Sequence, residues 1–215
     1  SCGTESDNWA IRKGVELNRR RSKHIITTAI EHSAVLETCK DLEKDGYEVT
    51  VLKPDKEGRI SVDDLRAALR SDTVLVSMML VNNETGTILP VAEVGKLLKR
   101  KKSAALLHCD AVQGFLKAEF TPAKLGVDFM AISAHKVHAP KGIGAMYVRK
   151  GIKLPPMILG GGQEAGLRSG TEATAQMAAF AVAAREGKAH LKEHIAHMEA
   201  INAYAREQLS EKVPG

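Results

Sequence analysis

"TVLVSMML", residues 73–80, carries six apolar side chains in eight positions and no charge. A strand that is apolar almost throughout, instead of at alternate positions, is covered on both faces, as in the middle of a parallel sheet. Four more short runs read as strands: "HIITTAI" (24–30), "YEVTVL" (47–52), "AALLHC" (104–109) and "DFMAIS" (128–133). Between them, residues 33–45, 61–70 and 91–102 carry helical spacing, the second opening on the start signal Ser61-Val62-Asp63-Asp64. Strands alternating with helices predict βαβ units, hence an α/β fold with a mainly parallel sheet sandwiched by helices.

In such sheets ligands sit beyond the carboxyl ends of the strands. The residues there are polar: His32 after the first strand, Asn82, Asn83 and Glu84 after the third, Asp110 and Gln113 after the fourth, His135 and Lys136 after the fifth. Each alone is an ordinary loop or cap residue, whereas together they predict a polar site at one edge of the sheet.

Composition narrows the function classes. The chain has 215 residues, 44% of them apolar, enough for a core of one large domain. Its net charge is +5, but the basic residues are spread out except for Arg19, Arg20, Arg21 and Lys23, and only 4% of residues are aromatic. Nucleic acid is therefore not expected as a partner. No apolar run approaches the ~20 residues of a membrane helix, and "SCGTESDNWA" lacks the order of a signal peptide, so no membrane partner is expected. Cys2, Cys39 and Cys109 form no CxxC pair or disulfide framework, which predicts a reducing, cytoplasmic location.

Three features carry chemistry. "GTESDN" (3–8) sets Gly3, Thr4 and Ser6 before a helical stretch, where free N–H groups and the helix dipole attract an anion. Asp110, after a buried strand, suits a cationic heterocycle nitrogen. Lys136, in "SAHKVHAPKGIGAMYV" (133–148), follows a strand and precedes a turn, where its amine can form a Schiff base. An anion cup, an aspartate and a lysine are what pyridoxal 5'-phosphate requires.

The order of the motifs then carries a family resemblance. "GTESDN", "EHSAV" (31–35), "NNETG" (82–86), "DAVQ" (110–113), "SAHKVHAPKGIGAMYV" and "GGGQEAGLRSGTE" (160–172) resemble the successive motifs of the NifS/IscS-type cysteine desulfurases, in class V of the fold-type I aminotransferases. The resemblance runs from the first residue to about Thr174. It implies that Lys136 holds pyridoxal phosphate covalently and acts as the base, with His32 stacked on the ring. Asp110 would meet the ring nitrogen and Gln113 the phenolic oxygen. Gly3, Thr4, Ser133 and His135 would hold the phosphate. Asn83 would lie beside the phenolic oxygen and the substrate carboxylate. Thr171 would reach the phosphate of a neighbouring subunit, so a homodimer is implied.

The implied reaction converts L-cysteine to L-alanine and passes sulfur to an enzyme cysteine as a persulfide, for a sulfur-acceptor or scaffold protein in iron–sulfur or thiolation pathways. Selenocysteine lyase, another class V enzyme, and a non-catalytic cofactor-binding fragment are the alternatives. The family keeps its acceptor cysteine on a mobile loop beyond "RSGT" and its substrate-carboxylate arginine in a smaller C-terminal domain. The chain accordingly reads as a fragment, inactive alone: residues 1–172 as the cofactor-binding large domain lacking its start, residues 173–215 as a helix leading towards that second domain. "HLKEH" (190–194), with His197, matches an inverted zinc-protease pattern, but these histidines fit the solvated face of one helix over 173–209, and no metal site is expected.

Overall fold

The computed structural model describes residues 1–18 and 23–213, so Arg19, Arg20 and Arg21 lie outside it. Lys23 is committed structurally: its ammonium donates to the Asp45 carbonyl at 2.6 Å and lies 5.5 Å from the centre of the Tyr47 ring.

Six strands form one sheet in the order β2-β1-β3-β4-β5-β6. They are β1 (His24–Thr28), β2 (Glu48–Leu52), β3 (Thr73–Ser77), β4 (Leu106–Asp110), β5 (Phe129–Ser133) and β6 (Gly144–Val148). The first five run parallel, whereas β6 returns antiparallel on β5, from Phe129 opposite Val148 to Ser133 opposite Gly144. β6 was not anticipated. Its stretch opens on turn residues and sits at the sheet edge, so its apolar signal is weak. A bare backbone at Gly144 is required there, since a Cβ would stand 2.8 Å from the Ile132 carbonyl oxygen and 3.1 Å from the Cα of Cys2.

Helices cover both faces. On one, α1 (Gly3–Asn18) and α2 (Ser33–Lys44) bury Ile11, Val15, Val35 and Leu42 with Ile25 and Leu75. On the other, α3 (Val62–Ala68), α4 (Val91–Arg100) and the short α5 (Pro122–Leu125) pack Leu65, Val94, Leu97 and Leu125 with Ile26 and Val76. Adjacent residues such as Ile25 and Ile26 thus serve opposite layers, which is why the strands read as continuously apolar. β3 ends at Ser77, three residues before its apolar run does. Met78 and Leu80 still donate to the carbonyls of His108 and Asp110, extending the sheet edge beyond the ladder.

The helix expected over 173–209 is two helices, α6 (Thr174–Ala189) and α7 (Leu191–Lys212). Backbone bonds run on across the junction, His190 N to Glu186 O and His194 N to His190 O, but His190 leaves helical geometry at φ −104°, ψ 15°. The residue after the break, Leu191, is the buried one of α7. Alanine-rich helical composition reports local propensity and not a change of direction made by burying one leucine.

Chain order places β1 where connections leave for opposite sides, to β2 and across to β3, a topological switch point at which the strand ends splay into a crevice. α4 fixes its neighbour by close approach: a Cβ on Gly95 would lie 2.3 Å from the Leu125 carbonyl oxygen. Gly→Ala in a helix ordinarily stabilises by ~1 kcal/mol. Here backbone overlap reverses the sign, and Gly95→Ala should destabilise the chain by about 1–3 kcal/mol, as overpacking does, measured by urea unfolding. A stability gain would show that α4 and α5 are not packed this closely.

Candidate active site

At the carboxyl ends of β1, β3, β4 and β5 lies a cavity of about 340 Å³. Its walls include Gly3, Thr4, His32, Asn83, Asp110, Gln113, Ser133, His135 and Lys136, so nine side chains or backbones singled out from sequence meet in one place. Thr171 does not join them: it lines a separate cavity of about 660 Å³ with Glu5 and Arg168. Asn82, also at a strand end, closes its own turn. Its Oδ1 accepts from the N–H groups of Glu84 and Thr85, and its amide donates to the Ile30 carbonyl.

Each wall has a local cause. "GTESDN" forms the first turn of α1 instead of preceding it, because the Ser6 N–H and hydroxyl both donate to the Cys2 carbonyl, each at 3.2 Å. The N–H groups of Gly3, Thr4 and Glu5 belong to a first turn and have no intrahelical acceptor. His32 caps α2, its Nδ1 accepting from the Ala34 N–H at 3.1 Å, which fixes the plane of the ring. At the end of β5 the chain makes a single 3-10 turn, Ala134–Val137, closed by His138 at φ 64°. That turn exposes Lys136 and sets His135 back on the strand end, where its Nδ1 lies 2.8 Å from the Ser133 hydroxyl. Burial, then Lys136 and Lys141, hold His135 below the ordinary imidazole range.

In the same cavity, Asp110 is buried as the last residue of β4. Its Oδ1 accepts from the Val112 N–H at 2.9 Å, while no described residue donates to Oδ2. Burial and the nearby Asp7 carboxylate push its carboxyl up, against the pull of the Val112 N–H and His108. Behind it lies a buried polar layer that sequence reading missed. His108 Nε2 is 3.3 Å from Asp7 Oδ1, and its Nδ1 is 2.8 Å from the Ser77 hydroxyl. Glu31 takes the Thr28 hydroxyl and the Met79 N–H on Oε1 and leaves Oε2 buried without a described partner. His108 could have been found two residues before Asp110, on the same strand face, and Asp7 one helical turn after Gly3.

Cys2 also lines the cavity, whereas Cys39 and Cys109 are buried. Burial pushes the Cys39 thiol up to about 12 and the Cys109 thiol well above its ordinary value, so neither is a ready nucleophile. Among the described residues no three His, Cys, Asp or Glu side chains are grouped to hold a metal, and His190 of "HLKEH" instead meets Glu193 at 3.0 Å. No described helix is long and apolar enough to cross a membrane.

The geometry brings anion donors, a buried carboxylate and an exposed amine to one cavity. The sequence model of the aminotransferase class-V family matches residues 1–214. The chain belongs to the class-V aminotransferases. Among members of that class, a cysteine desulfurase of Nostoc sp. is 42% identical over 214 residues, all of this chain and 53% of the relative. A cysteine desulfurase IscS of Methanosarcina thermophila is 49% identical over 172 residues, 80% of this chain and 42% of the relative. The solved structure of a NifS-like protein superposes at a TM-score of 0.95 with 43% identity, covering 98% of this chain and 58% of that one. A structure of SspA in complex with cysteine superposes at 0.80 with 41% identity, over 86% of this chain and 53% of that one. The chain thus spans about half the length of the relatives it matches, and its six-stranded sheet is that of the fold-type I large domain.

Glu31 gives this class-V site a pH signature. Burial pushes its carboxyl up to about 8 from an ordinary value of 4.5, so the folded chain keeps a proton that the unfolded chain releases. More protons bound in the folded state means that stability falls as pH rises through that window. Glu31→Gln keeps an acceptor for Thr28 and Met79 and cannot ionise. Relative to the parent it should gain stability progressively between about pH 4.5 and 8, read by urea unfolding at a series of pH values. A difference between the two that is constant with pH would contradict a protonated Glu31.

Proposed function

We propose that the chain is the cofactor-binding part of a pyridoxal phosphate-dependent cysteine desulfurase. The observation that carries this reading is the convergence of Lys136, Asp110 and the first turn of α1 on one cavity. The residues suit the cofactor. Asp110 Oδ2, without a described donor, matches a protonated ring nitrogen. The free N–H groups of Gly3 and Thr4, the Thr4 and Ser133 hydroxyls and the His135 imidazole supply the donors a phosphate dianion needs. His32 would cover the ring face in the plane set by Ala34, and Asn83 would stand beside the phenolic oxygen and the substrate carboxylate. Thr171 would serve the site of a second subunit in a homodimer, a role compatible with its place outside its own chain's cavity.

Bound there, the cofactor supplies an electron sink for the pair released when the Cα–H bond of the amino acid breaks. Lys136 Nζ would anchor the cofactor and, as a free amine, would take the Cα proton. Asp110 would hold the ring nitrogen charged, the state in which the ring accepts that electron pair. Desulfuration then needs a thiolate that attacks the substrate sulfur: L-cysteine plus an enzyme thiol gives L-alanine plus an enzyme persulfide, with no external oxidant. Burial removes Cys39 and Cys109 from that role. Cysteine as substrate draws support from the relatives named desulfurases and from the cysteine-bound neighbour. A persulfide product implies an acceptor or scaffold protein as the next partner. Three free thiols suit the cytoplasm. We assign residues 1–172 to the large domain and residues 173–215 to its connection onward.

The test is direct. With pyridoxal phosphate added, the chain should develop near-visible absorption, and borohydride should fix one cofactor per chain on Lys136, located by peptide mass mapping. Lys136→Ala should abolish the label. A label on Lys117 or Lys141 instead would overturn the assignment.

A further inference from the structure

Gln113 has one side-chain acceptor and one donor group, and which of them faces the cavity decides what that wall recognises. The structure settles this through a neighbour. Lys117, four residues further along a run of turns, places its ammonium 2.8 Å from Gln113 Oε1. An ammonium can only donate, so the atom it meets must be the amide oxygen. With Oε1 committed to Lys117, the amide group of Gln113 left for the cavity it lines with Asp110 and Lys136 is its NH₂, and no described residue accepts from that group.

We propose that Lys117 is a positioning residue: by holding Oε1 it locks the Gln113 amide as a donor, and so makes this wall selective for an acceptor oxygen on the bound ring. On the function proposed above, that oxygen is the phenolic oxygen of pyridoxal phosphate, and this inference rests on that reading. Without the lysine, the amide can turn and offer its own oxygen, setting two acceptors against each other.

Lys117 is well placed for the task. It is half-buried outside the site cavity, at the edge of one neighbouring cavity that also touches Lys136 and His138 and of another lined by Ala118 and Phe120. Burial and the positive charge of Lys136 hold its ammonium below the ordinary lysine range. An ammonium kept among cations and apolar walls is costly unless its acceptor is firm. Gln113 Oε1 is that acceptor, and the backbone between the two is tied by the Lys117 N–H donating to the Gly114 carbonyl at 3.0 Å.

The test compares two probes: pyridoxal phosphate, and its analogue lacking the phenolic hydroxyl. Lys117→Met should weaken binding of the first roughly tenfold, the loss of one hydrogen bond to a charged group, and leave the second unchanged. Gln113→Glu keeps the partner of Lys117 but presents an acceptor, and should show the same selective loss in a chain with its ion pair intact. Lys117→Arg, which still donates, should retain most of the affinity. Isotope-edited NMR of the chain without any cofactor should show one ordered Gln113 amide, and an averaged one in Lys117→Met. Equal losses for both probes would mean that Lys117 acts by charge alone, and an averaged amide in the parent would mean that no lock exists. Either overturns the inference. If borohydride fails to label Lys136, the cofactor reading falls, and the amide spectrum still decides the role of Lys117.

Discussion

Asp110 ends a buried strand with one oxygen committed to the backbone and the other free towards a cavity, beside a second buried carboxylate, Asp7. Carboxylates are not left in such surroundings without cost. The surrounding arrangement turns on that: His108, on the strand of Asp110, faces Asp7, Glu31 is held by neutral donors, and Lys136 brings a cation to the same cavity. A ligand with a positive ring nitrogen and a negative phosphate relieves both ends of the imbalance at once, the nitrogen at Asp110 and the phosphate at the first turn of α1.

The fold supplies this geometry by topology. With β1 as the switch point, parallel strands deliver His32, Asp110 and Lys136 from separate connections to one end of the sheet. Helix packing then has to hold α1 against the sheet edge, which Gly144 allows by letting β6 run within touching distance of Cys2. The site is thus assembled from elements distant in sequence but adjacent in space, and its precision depends on the rigidity of the layers beneath it.

Much of this was legible in the sequence because parallel strands signal themselves. "TVLVSMML" announces burial on both faces, and the rule of strand ends then gathers Asp110 and Lys136 with the other polar residues there, to which the family resemblance lends roles. What escaped has physical reasons. β6 alternates exposed and half-buried side chains at a sheet edge, so little hydrophobic signal marks it. The break at His190 comes from tertiary burial of Leu191, to which helix propensity is blind. Asp7, Glu31 and His108 act through one another, and a pairing between α1, the loop after β1, and β4 has no sequence spacing to betray it. Gln113 was visible as a candidate, but the direction of its amide depends on Lys117 and required coordinates.

The central claim is that the cavity recognises a ring with opposite charges at its two ends. The most direct measurement is a crystal structure of the chain grown with pyridoxal phosphate. The account predicts the ring nitrogen within hydrogen-bonding distance of Asp110 Oδ2, the phosphate against the N–H groups of Gly3 and Thr4, and continuous density to Lys136 Nζ. A cofactor seated in another cavity, or turned so that its phosphate lies at Asp110, would contradict it.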